Sequence, residues 1–363
     1  MHGVFKRSTV VLGVLALALA AALHAAAGPP GGDYTVTPLV SDIPGAAPLT
    51  DPDLVNGWGL ARGPTTPWWV ADNGPDPSSS KSTLYTGAGA KVPLTVNVLG
   101  GPTGAVFGNV SGNFLIGTSA DPTTLAPALF IFATENGDIR AWRGGSTDAL
   151  VAPTTGIAAG AVFKGLAIAQ PTPGNPLLYA ADFHNAQVDV FNGAWQNVTP
   201  PGAFTDPMVP GGYAPFGIQA IGSDIFVTYG KQDAAAHDEL DGQGLGFVDE
   251  YDLQGNLVAR VAQHGQLNGP WGLAMAPASF GRYAGDLLVG NFGDGQINAY
   301  ADGNGGWNHV GTLRTTNGQK LVIDRLWALE FGNAGNNGNP DTLFFTAGPN
   351  DESDGLFGTV TTG

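Results

Sequence analysis

The chain has 363 residues, of which 43% are hydrophobic and only 12% charged, with a formal net charge of -16. It holds no cysteine, which excludes disulfides, thiolate chemistry and Cys-based zinc or iron–sulfur sites. The acidic balance repels nucleic acid and anionic lipid and tolerates cations, Ca²⁺ among them.

The N-terminus reads as a secretory signal over residues 1–27. Lys6 and Arg7 form the basic region, Val10 to Leu23 the apolar stretch, and Ala25-Ala26-Ala27 a small-residue cleavage site. The apolar stretch is short for a spanning helix, which needs about 20 residues. An uncleaved anchor is the alternative. Removing this segment takes away two basic residues and no acid, so the net charge goes from -16 to about -18. The expected location is secreted or periplasmic, with no membrane span after signal removal.

From Tyr34 onward a pattern recurs. It begins with a short run such as NGWGLA or NGPWGLA, passes a Gly/Pro-rich gap, continues in an apolar run such as PWWVAD or LLVGNF, and ends in a further strand-like piece. Its inner small residues are Gly59, Ala105, Gly165, Gly217, Gly272 and Ala328, spaced 46 to 60 residues apart. Periods of this length mean a repeat architecture, and the pieces show strand rather than helix periodicity. The fold class predicted is all-β: a six-bladed β-propeller with four-stranded blades. The approximate blades are 52–100, 101–157, 158–210, 211–263, 264–320 and 321–363, in a single domain over 28–363. In the second copy NFLIGTSAD reads as the second strand, with Asp121 in the loop after it. The aromatics before the small residues (Trp58, Phe163, Phe216, Trp271, Trp327) are expected to wedge between adjacent blades. The last copy lacks a fourth strand, and the unassigned segment 34–40, YTVTPLV, is predicted to supply it and close the ring.

These copies resemble NHL-type repeats, GQLNGPWGLA most closely. The whole segment from Tyr34 resembles an uncharacterised family of secreted bacterial six-bladed propellers. DPDLVNGWGLA, FIFATENGDI, KQDAAAHDE, GDLLVGNFGDGQINAY and LFFTAGPN are among the segments that carry the likeness. The resemblance implies the propeller fold and no particular activity.

In a propeller, loops around one mouth of the central channel carry function on a rigid scaffold. Three histidines, His184, His237 and His264, fall on loops of that face. His237 and His264 are candidate catalytic acid/base groups or Zn²⁺ or Cu²⁺ ligands, with Asp233 or Asp238 nearby. Hydrogen bonding to loop backbone is the alternative for each. Lys164, Lys231, Asp233 and Asn268 are candidate ligand-binding residues. Asn56, Asp72, Asn291 and Asp324 offer oxygen for Ca²⁺, with His184 as a further candidate metal ligand. Gluconolactonase- and paraoxonase-type propellers place such an ion near the axis. Turn formation alone is the competing account of these Asn and Asp residues.

Two functions remain open. One is a monomeric binding or scaffold module for an extracellular small molecule, glycan or protein, with no nucleic acid partner. The other is a metal-dependent hydrolase or lyase, lactonase- or esterase-like, with its site at the central channel and Ca²⁺ or Zn²⁺ as cofactor. The KQDAAAHDELDGQG stretch is the most charged in the chain and favours a functional mouth.

Overall fold

Each repeat builds one twisted antiparallel sheet, and six such sheets form the blades of a β-propeller. The computed structural model describes residues 33–363, so the expected signal segment, 1–27, lies outside the described residues. The innermost strands are Gly57–Ala61, Pro102–Phe107, Phe163–Thr172, Tyr213–Ile221, Pro270–Met275 and Leu326–Phe331. Each pairs with a second strand: Trp68–Asp72, Phe130–Thr134, Asn175–Asp182, Asp224–Gln232, Leu287–Asn291 and Leu343–Ala347. Several of these strands are buried along their whole length, Trp68–Asp72 and Leu287–Asn291 among them. Neighbouring blades cover both their faces, so they read as continuous apolar runs rather than alternating ones. The outer strand Lys91–Asn97 is only partly buried.

The ring closes as the sequence predicts. Asp33–Ser41 pairs antiparallel with Leu356–Thr362, in the register Tyr34 to Thr362 and Val36 to Val360. The Tyr34 hydroxyl donates to the Phe280 carbonyl at 3.1 Å, tying this strand to the preceding blade. Closure leaves the last blade no open edge toward the first strand of the chain.

Three details differ from the sequence expectation. In blade two, Leu115–Ile116 and Ala126–Pro127 form a separate small hairpin, and the second strand is Phe130–Thr134. The turn after that strand is therefore Glu135-Asn136-Gly137, and Asp121 belongs to the inserted hairpin. Blade three has three strands. Its outer place is taken by residues 195–199, held by single bonds such as Val198 N–H to the Val190 carbonyl at 2.7 Å.

The third difference concerns the aromatics. Every innermost strand carries a register shift beside its small residue: between Gly57 and Leu60, Phe163 and Gly165, Pro215 and Ile218, Pro270 and Leu273, and Leu326 and Leu329. In blade two the shift lies opposite Pro102 to Ala105. A β-bulge re-aims the side chain at the extra residue. Trp58, Phe216, Trp271 and Trp327, which come from four blades, accordingly meet in one cluster at the axis instead of wedging between blades. Phe163 alone packs between blades two and three. The glycines that follow Trp58, Phe216 and Trp271 permit the blades to approach: a Cβ on Gly217 would stand 2.1 Å from the Trp271 carbonyl oxygen. In blade two that role falls to Gly104, whose Cβ would meet Leu166 N at 2.3 Å, rather than to Ala105.

Candidate functional site at the channel mouth

The bulge residues make a floor. Trp58 stacks on Trp327 with centroids 3.8 Å apart, and Phe292 covers Trp327 at 4.2 Å. Phe216 and Trp271 meet Trp327 edge-on, both at 5.8 Å. Two indoles are satisfied: Trp327 donates to Asn56 Oδ1 and Trp271 to the Lys164 carbonyl, each at 3.0 Å. The third is not. Trp58 is 3% exposed, and its Nε1 has no hydrogen-bond partner.

In blade three the bulge position holds Lys164 in place of an aromatic. Its side chain is 1% exposed, with Nζ 5.0 Å from the Trp58 ring centroid and 6.0 Å from that of Phe183. A buried ammonium needs partners. Glu135 supplies one at 2.5 Å and Asp238 another at 3.1 Å. Asn73 Nδ2 donates to the other Glu135 oxygen at 2.8 Å.

Above this floor opens a cavity of ≈ 610 Å³ lined by Glu135, His237, Asp238, Glu239, Asp241, Asp351 and Glu352, with Lys164 and Arg325 as its fixed cations. His237 Nδ1 lies 2.9 Å from Asp238 Oδ1. Asp233 Oδ1 accepts from the backbone N–H of Ala235 and of His237, which shapes the loop that presents this pair. Glu352 accepts from Asn56 Nδ2 at 3.0 Å. Asn350, Asp351 and Glu352 are consecutive residues with φ of 56, 52 and 65°. Three non-glycine residues in the left-handed region store strain, a feature that clusters at functional sites. Arg325 joins Asp241 at 2.6 Å and Asp351 at 2.7 Å.

The charges are unevenly compensated. Burial pushes the Glu239 carboxyl up to about 8; Lys164 pulls it down and Glu352 adds to the rise. Burial also raises Glu352, against the Asn56 hydrogen bond and Lys164. For Lys164 burial acts to lower the pKa, but Glu135, Glu239 and Asp238 outweigh it and hold the ammonium above its ordinary value. Burial would raise Asp238, yet Lys164 and His237 leave it below the usual carboxylate range. Lys164 is thus a permanent cation near neutral pH, unsuited to act as an amine nucleophile, which must be unprotonated.

The structure brings together only some of the residues singled out from sequence. His237, Lys164 and Asn56 line the cavity. His264 does not. It is exposed with φ 53°, its Nδ1 2.9 Å from the Gly244 carbonyl and its ring edge-on to Phe247. Lys231 lies over the Tyr213 ring at 4.8 Å. Asp233 and Asn268 act on backbone, Asn268 Oδ1 accepting from Gly242 N at 2.6 Å. The oxygen set expected for Ca²⁺ is dispersed among separate partners. Asp72 is buried beside Thr83 Oγ1 at 3.2 Å, and burial raises its pKa. Asn291 donates to the Gln266 carbonyl and to Asp294. Asp324 accepts from Asn350 N, and His184 is exposed against Gly160.

Glu135, Glu239, Glu352 and Arg325 were missed. Glu135 had a signal: in blade two TENG stands where blade one has ADNG and blade three ADFHN. Glu239 and Glu352 carry no such mark, since only chain folding brings their loops to the same mouth. The carboxylates of Glu135 and Asp238 and a His237 ring nitrogen present ligand atoms within 4.8 Å of one another. That N,O,O set suits Zn²⁺ or Mn²⁺ better than Ca²⁺, which takes six to eight oxygens.

No protein-family model matches the chain. Over 344 residues it is 32% identical to uncharacterized protein R648 of Acanthamoeba polyphaga mimivirus, covering 90% of this chain and 80% of that one. Uncharacterized protein L690 of the same virus is 30% identical over 343 residues, covering 90% and 85%. Among solved structures, the soluble aldose sugar dehydrogenase of Escherichia coli superposes with a TM-score of 0.52 at 13% identity, covering 91% of this chain and all of that one. That likeness shows the propeller fold. The sequence relatives are viral, and nothing in these matches bears on the expected bacterial origin or NHL-type repeat.

Proposed function

The chain belongs to one family with the mimivirus proteins R648 and L690, and from its channel mouth we propose that it is a ligand-binding propeller for a small cation or cation-bearing molecule. One observation carries this reading. A plugged, carboxylate-walled cavity of ≈ 610 Å³ holds Glu239, whose side chain has no ion-pair or hydrogen-bond partner in another residue among the described residues, and Glu352, paired only with an amide. The aromatic floor makes the site a pocket rather than a passage. Pockets of this volume are typical of small-molecule sites. The signal-like residues 1–27 place the binding outside the cytoplasm in this reading, and the ligand is a free small molecule or a group on a glycan or protein.

The test is calorimetric titration of the protein with divalent metal ions, polyamines and amino sugars. Saturable binding to one site, weakened in Glu352→Gln, supports the reading. No heat from any of these classes overturns it.

A hydrolase or lyase reading is favoured by the pairing of His237 with Asp238 inside the cavity. A carboxylate that orients an imidazole is a recurring acid/base device. In this version His237 moves the proton and Lys164 stabilises developing negative charge. Turnover of lactone or aryl-ester substrates, abolished in His237→Ala, is its expected signature. Equal turnover in the wild type and His237→Ala removes it.

A further inference from the structure

The binding reading leaves the ligand's chemistry open, and the mouth narrows it. Around Lys164 stand four carboxylates, Glu135, Asp238, Glu239 and Glu352, against one ammonium. The remaining acids of the cavity, Asp241 and Asp351, share one cation, Arg325. Burial favours the protonated form of Glu239 and raises Glu352, so the negative excess over Lys164 rests on its two ion-pair partners, Glu135 and Asp238.

Within that excess one group of side chains has ligand geometry. One ligand atom from each of Glu135, His237 and Asp238 lies within 4.8 Å of the others. Metal bonds of about 2.0–2.2 Å draw such atoms closer than this. The adjustment falls on the more exposed partners: the side chains of His237 and Asp238 are 47% and 64% exposed, whereas Glu135 is anchored by both Asn73 and Lys164. A second feature of the same chamber asks for a ligand independently. Trp58, whose indole N–H is buried and unpartnered, is one of the residues lining the cavity whose wall carries Glu135 and Asp238. An orphaned buried donor is destabilising, and an oxygen-bearing ligand that reaches it removes that cost.

We propose that Glu135, His237 and Asp238 form a divalent metal site of the zinc or manganese class at the channel mouth, with an open coordination position for an oxygen ligand that the Trp58 N–H also receives. Three protein ligands leave a vacancy where a structural site would have a fourth. This proposal rests on the binding reading and names its ligand.

The experiment uses the intact protein, treated with chelator and then titrated calorimetrically with ZnCl₂ and MnCl₂. CaCl₂ and spermidine are titrated in parallel. One equivalent of Zn²⁺ or Mn²⁺ is expected to bind. Affinity is expected to fall by about tenfold or more in His237→Ala and in Asp238→Asn, a loss at least as large as supporting residues of metal sites produce. The surface variants His264→Ala and His184→Ala should bind as the wild type does. In the Co²⁺ form, absorbance in the visible range should shift in Trp58→Phe, which keeps the ring and removes the donor. Circular dichroism checks that each variant is folded. Zn²⁺ binding that His237→Ala and Asp238→Asn leave unchanged, or that His264→Ala weakens equally, overturns the metal site. Spermidine binding without metal binding overturns the metal site and leaves the binding reading standing. If neither binds, the metal site is wrong, and the binding reading falls with it when amino sugars also give no heat.

Discussion

Lys164 Nζ lies 2.5 Å from Glu135 Oε1, an ion pair that joins the innermost strand of blade three to the turn after the second strand of blade two. Both charges sit at the floor of the mouth; removing Lys164 leaves Glu135 without an ionic partner, whereas removing Glu135 leaves the ammonium with Asp238. Lys164→Met is predicted to destabilise the fold by about 3–5 kcal/mol, the usual cost of breaking a buried pair from one side. The double variant with Glu135→Gln should recover part of that loss. Denaturant unfolding of the two single variants and the double variant gives the coupling. Strict additivity would mean that the pair makes no mutual contribution.

The close approach of blades at the axis predicts a steep penalty for the smallest enlargement. Gly217→Ala puts a Cβ 2.1 Å from the Trp271 carbonyl oxygen, and backbone cannot swing aside as a side chain can. A loss of about 3 kcal/mol is expected. Gly144→Ala is the control: nothing lies within 4 Å of its added Cβ, and the change should stay within about 0.5 kcal/mol. Equal midpoints for the two variants in urea would refute the crowding argument.

Stability should fall as pH rises across the mildly acidic range. Burial pushes Glu330 up to about 7, against the pull of Arg62 at 3.3 Å. Burial likewise lifts Asp189 and Asp249 to about 6, with Asn197 and Arg260 respectively pulling down. A carboxyl raised above its unfolded value of about 4 binds more protons folded than unfolded. Its stabilising contribution is full below the unfolded value and is lost as pH climbs through the folded value. The melting temperature should thus be higher near pH 5 than near pH 8, and Glu330→Gln should flatten the slope between about 5 and 7. A melting temperature that rises across this window would contradict the assignment. Repulsion within a chain of net charge -16 acts in the same direction, so the comparison with Glu330→Gln is the decisive one.

The closing strand predicts a clear truncation phenotype. Removing residues through Ser41 strips the outer strand from Leu356–Thr362 and leaves its backbone groups unpaired. Exposed edges template association, and size-exclusion chromatography should show aggregates in place of one species. Tyr34→Phe is the milder case: it loses only the 3.1 Å bond to the Phe280 carbonyl, worth about 1 kcal/mol. An unchanged elution profile after the truncation would mean that the strand is not needed for closure.

The sequence by itself determined the blade count, the strand order within most blades and the identity of the closing strand. These depend on local matters: strand propensity, turn residues and a repeat period that survives in each copy. It also marked NFLIG as strand material, but the hairpin it forms is an insertion, and whether a short apolar run joins a blade is decided by the neighbour it meets. Only the tertiary structure decided what the aromatics do, because a bulge in each innermost strand turns Trp58, Phe216, Trp271 and Trp327 to the axis and leaves Lys164 as the single cation among them. The mouth was likewise beyond the chain order. His237 and His264 look alike in sequence, and the fold sets one against Asp238 in the cavity and the other against a backbone carbonyl outside it. Glu135, Glu239 and Glu352 stand far apart along the chain and meet because ring closure brings three blades to one opening, where burial and mutual repulsion, which no single segment encodes, raise Glu239 and Glu352.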